Sequence, residues 1–100
     1  MIKHIVMWRL KEEARGNTRS ANAELVKEKL EALEGRIPGL LRIEAGLDFS
    51  RTDSSADVVL YSELESREAL ADYQVHPEHE AVKEFIGAVT AERWVVDYEG

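Results

Sequence analysis

Three side chains in this sequence have the types and positions to move a proton on and off carbon: His4, Tyr73 and His79. A neutral imidazole, with its free pKa of about 6.5, is poised to accept a proton near neutral pH. A phenol hydroxyl can hydrogen-bond the oxygen of an enolate as its charge develops. His4 has the strand parity of Val6, Trp8 and Leu10. His79 stands three residues before Val82 and seven before Ile86, on the inward stripe of the last helix. Tyr73 shares a helix face with Ala69 and Leu70. If the even side of the first strand faces the helices, the three converge on one mostly apolar pocket, lined also by Val6, Trp8, Val26 and Leu30. The same spacing also suits a structural reading, in which buried histidine and tyrosine satisfy each other and nearby carbonyls.

Other chemistries find less support. His76, His79 and Glu80 have the spacing of one helical turn, but His76 precedes the helix and no third ligand stands out, so no metal site is expected. Trp8, Trp94 and Tyr98 read as core rather than cofactor platform. The sequence contains no cysteine, which excludes disulfides, thiolate metal sites and thiol nucleophiles. No glycine-rich phosphate loop or serine nucleophile elbow is present, and no cofactor is expected. The formal charge of -7 disfavours nucleic acid and anionic membrane as partners. No apolar run suits a membrane span, and the N-terminus lacks a signal-peptide pattern, so the expected location is the cytoplasm.

The elements that must position these residues follow from periodicity. Ile2 to Leu10 is β-branched and aromatic enough to be a strand, ended by the polar stretch from Lys11 to Thr18. Ala23, Val26, Leu30, Leu33 and Ile37 recur at three- and four-residue spacing, the inner stripe of a helix stopped by Gly35, Pro38 and Gly39. Leu41, Ile43, Ala45, Leu47 and Phe49 alternate with polar or small residues, predicting a strand with one buried face. Val58 to Leu64 is a third strand, across a long hairpin loop. Ser66 caps a short helix, and Pro77 breaks it at His76 and opens the next one. Trp94 to Tyr98 is the last strand. One domain, residues 1–100, is expected, with a ferredoxin-like βαββααβ order and a four-stranded antiparallel sheet.

Helices from two crossovers cover one face of such a sheet. Yet Ile5, Met7, Val59 and Tyr61 make the other face apolar as well. A patch of that size needs a cover, and a second copy of the same sheet supplies one, so a homodimer is expected.

The opening Met1–Leu10, the turn Ile37-Pro38-Gly39-Leu40, the stretch Asp72-Tyr73-Gln74-Val75-His76-Pro77-Glu78-His79 and the closing Val95-Val96-Asp97-Tyr98 resemble the stress-responsive A/B barrel (Dabb) domain along the whole chain. The resemblance implies a dimeric α+β barrel built from two sheets packed face to face. Some plant members of that family are polyketide cyclases, which close a poly-β-ketone by aldol condensation without metal or organic cofactor. Their active-site positions correspond here to His4, Tyr73 and His79, while His76 matches a more structural position. The first helix departs from the cyclases: its inward stripe of Ala23, Val26, Leu30 and Leu33 lacks their aromatic residues. The resemblance therefore implies a pocket for a small, largely apolar carbonyl compound and a cofactor-free cyclase or lyase step. A non-catalytic stress or assembly protein, and a cofactor-independent monooxygenase or isomerase, are the alternatives.

Overall fold

The computed structural model describes residues 1–100. In chain order the elements are β1 (Ile2–Leu10), β2 (Glu13–Ala14), β3 (Asn17–Thr18), α1 (Arg19–Glu31), β4 (Leu40–Leu47), β5 (Val58–Leu64), α2 (Arg67–Val75), α3 (Pro77–Val89) and β6 (Thr90–Glu99). Four of the strands form one antiparallel sheet in the order β4-β5-β1-β6. This is the ferredoxin-like arrangement that the element order predicts. No helix is long and apolar enough to cross a membrane.

β1 shows why the alternation matters. Its even residues, from Ile2 to Leu10, are buried beneath the helices, whereas Met7 on the opposite face is 39% exposed. The register carries that division across the sheet. Val6 pairs with Leu60 and Val95 on the helix side; Met7 pairs with Val59 and Trp94 on the open side. Val96 and Tyr98 continue the open apolar face and are exposed within the single chain.

Local chemistry sets the helix starts. Thr18 Oγ1 accepts from the Ala21 amide at 3.2 Å, and Ser66 Oγ accepts from the Ala69 amide at 3.0 Å. His76 stays extended, at ψ 134°, because the ring of Pro77 disfavours helical geometry before it. Its Nδ1 then accepts from the Glu78 amide at 3.1 Å and caps α3.

Four sequence expectations need correction. α1 ends at Glu31 rather than near Ile37; a run of turns carries Leu33 and Ile37 into the core instead. Gly39, at φ 82°, closes that connection where a Cβ would lie 2.7 Å from the Ala69 Cβ, so no larger residue fits. In β4 the register shifts between Leu40 and Arg42, and the extra residue turns Leu41 outward to 51% exposure while Ile43 and Ala45 stay buried. Phe49, expected on the buried face, lies beyond the strand and is 93% exposed. The polar stretch after β1 is itself a hairpin. Its tip residues Arg15 and Gly16 have φ of 54° and 78°, as a two-residue turn requires. The buried Asn22 fastens it by donating from Nδ2 to the Ala14 carbonyl at 3.0 Å.

Candidate active site

A cavity of about 500 Å³ opens between the sheet and α3. His4, Val6 and Trp8 of β1 and Leu60 of β5 form its floor, and His79, Lys83 and Ile86 of α3 form its wall. Gln74, Gly87, Thr90 and Arg93 complete the lining. Val26 and Leu30, expected to line it, do not. α1 carries them into the fully buried core, away from the cavity that α3 covers.

His4 is buried, and its Nδ1 donates to Asp97 Oδ1 on the neighbouring strand. The register pairs His4 with Asp97 directly, so the carboxylate lies beside the imidazole on the helix side of the sheet. A carboxylate accepts, which fixes the proton on Nδ1 and leaves Nε2 with its lone pair. His79 reaches the same tautomer by a different route. Its Nδ1 lies 3.0 Å from the Tyr73 carbonyl, which can only accept. That carbonyl also accepts from the His76 amide at 3.3 Å, and its second lone pair is open to the imidazole because the residue four positions on, Pro77, has no amide hydrogen to close the helical bond. Neither Nε2 hydrogen-bonds to any group of the chain.

Burial pushes the His79 pKa down to about 4, with further depression from the Lys83 ammonium, so the ring is neutral near pH 7. Tyr73 lies between the histidines. Its ring stacks on His79 at 4.0 Å and meets His4 edge-on at 6.0 Å. The tyrosine is fully buried outside the cavity lining, its hydroxyl has no hydrogen-bond partner, and burial raises its pKa. Tyr73 thus meets both histidines, with the two imidazoles lining the cavity and the phenol outside its lining.

No group of three or more His, Asp or Glu side chains gathers as a metal site. The Nδ1 of His76 and that of His79 are both taken up by backbone groups. Sequence reasoning missed Asp97, Lys83 and Arg93. Asp97 sits in a strand 93 residues from its partner, and only the pairing of β1 with β6 reveals it. Lys83 lies one turn after His79, a spacing that could have flagged it.

The family model of the stress responsive A/B barrel domain matches residues 2–100. The chain belongs to that family. Among solved structures, the Dabb chain superposes on a dimeric ferredoxin-like protein of unknown function from Bacteroides fragilis with a TM-score of 0.87. The two are 30% identical, over 99% of this chain and 95% of the other. A dimeric ferredoxin-like protein of unknown function from Thermobifida fusca gives a TM-score of 0.83 at 26% identity, over 97% and 88% of the two chains. A hydroxynitrile lyase from Passiflora edulis shares the fold, with a TM-score of 0.77 at 18% identity over 97% and 90%. Among curated proteins none matches this chain.

Proposed function

We propose that this Dabb protein is a homodimer whose cavity binds a small carbonyl compound and promotes cofactor-free proton transfer on it, the step shared by aldol-type cyclases and lyases. The observation that carries this reading is the pair of buried imidazoles on one cavity, each tied at Nδ1 and free at Nε2. His4 is the base. A proton taken from a carbon next to the carbonyl goes to Nε2, and the C–H electron pair becomes the enolate. The Asp97 carboxylate stabilises the resulting imidazolium, which then returns the proton to the new or departing oxygen. His79 resists charge, so its Nε2 accepts a hydrogen bond from a substrate hydroxyl and orients it. Tyr73 acts as a positioning residue through its carbonyl and its ring.

The hydroxynitrile lyase on the same fold supports lyase-type use of such a cavity, without identifying the substrate. The dimeric state of the Bacteroides and Thermobifida proteins, and the open apolar face of Met7, Trp94 and Val96, support the homodimer. The test is solvent exchange. In D2O, proton NMR should show the wild-type protein accelerating loss of the α-proton signal from members of a panel of small ketones. His4→Gln, with unchanged circular dichroism, should abolish the acceleration. No acceleration across the panel, or full activity in His4→Gln, would refute the assignment.

A further inference from the structure

The chain carries 20 acidic and 13 basic residues, so carboxylates dominate its surface. The cavity reverses that balance. Lys83 and Arg93 line it, and no Asp or Glu does. The two cations differ in how far they are already engaged. Lys83 Nζ donates to the Gln74 carbonyl at 3.0 Å and pairs with Glu80 at 2.8 Å. The Arg93 guanidinium makes neither a hydrogen bond nor an ion pair within the chain, although eight lysine or arginine ion pairs occupy other charged groups. It pairs across the sheet with Trp8 on the helix side, so its β6 position brings the guanidinium to the cavity rim opposite the α3 wall. A planar guanidinium with all its donors unspent matches a carboxylate bidentately, more specifically than an ammonium does.

We infer that the substrate is an oxo acid: its carboxylate docks on Arg93, assisted by Lys83, while the carbon next to its ketone reaches His4. The inference rests on the proton-transfer site proposed above and adds the charge of the molecule that enters it. The apolar floor of Val6, Trp8 and Leu60 then covers the hydrocarbon between the two polar ends. Lys83 also serves both ends, since its charge helps keep His79 neutral.

The probes are 4-oxo-4-phenylbutanoate and its methyl ester, which share the aryl ketone and differ in the charge. Dissociation constants come from NMR titration of the 100-residue chain, and α-proton exchange in D2O is read from the same samples. The acid should bind about tenfold more tightly than the ester, the gain of a charge-assisted contact at a partly solvated rim. Arg93→Gln should bring the two to within about twofold, and Arg93→Lys should restore part of the preference. Arg93 is exposed on an edge strand, so both variants should fold, which circular dichroism checks. Equal binding of acid and ester, an unchanged preference in Arg93→Gln, or no saturation by either compound in the millimolar range would overturn the inference. Exchange separates the two ideas. Preferential binding of the acid without exchange supports anion recognition and refutes proton transfer. Exchange of both compounds with equal binding refutes anion recognition and leaves proton transfer standing.

Discussion

Replacing Tyr73 by phenylalanine should make the free protein more stable. The hydroxyl is sealed from solvent and meets no acceptor or donor, so folding strips its water and returns nothing. An unsatisfied buried hydroxyl costs about 1–3 kcal/mol. Phenylalanine keeps the ring that stacks on His79 at 4.0 Å, and it keeps the backbone carbonyl that orients that histidine. The oxygen leaves a gap too small for water, which offsets part of the gain. The expected net change is about +1 kcal/mol, which for a domain of this size raises Tm by about 4–8 °C. Urea unfolding followed by far-ultraviolet circular dichroism, at one fixed protein concentration, measures it as a higher midpoint with an unchanged slope. A lower midpoint for Tyr73→Phe would refute the reasoning, because it would mean that the hydroxyl makes a bond worth more than its burial costs.

Asp97→Asn should leave the sheet intact and slow α-proton exchange by about a hundredfold or more, since an amide no longer stabilises the His4 imidazolium; exchange rates beside circular dichroism check this. His79 should make stability fall with acid. Below about pH 6.5 the unfolded imidazole takes up a proton that the folded one refuses until about pH 4, so the unfolded state gains across that window. Urea midpoints between pH 7 and pH 4 should show this decline, and His79→Gln should flatten it. Met7→Lys places an ammonium in the middle of the open apolar face and should give a monomer or an unfolded chain in sedimentation, where the wild type should sediment as a dimer.

Features governed by neighbouring residues were legible in the sequence. Even parity along β1 put His4 among Val6, Trp8 and Leu10, and the geometry before Pro77 placed a break and a cap at His76. Features governed by pairing were not. The shift at Leu40–Arg42 depends on how β4 meets β5, so strict alternation misassigned Leu41. Asp97 became part of the site only through the register of the first strand with the last. The α1 stripe showed that Val26 and Leu30 point inward, but an inward direction does not distinguish packed core from cavity wall. The rim cations were missed because a charged residue on a helix or an edge strand looks like any solvated one until the cavity beside it is seen.

Pro77 touches no ligand in this scheme, yet it decides what one imidazole can do. Nineteen of the twenty standard residues would bring a backbone amide hydrogen to that position, and a helix running through it would aim a second backbone donor at the Tyr73 carbonyl, which already accepts from the His76 amide. The histidine would then compete with two backbone amides for the acceptor that holds its proton on one nitrogen, and its hold on the tautomer facing the cavity would weaken. Repairing the helix would add a backbone bond and weaken a chemical distinction between two ring atoms. A constraint of that kind is invisible in a list of residues within reach of a substrate, because it acts through a hydrogen that the chain does not have.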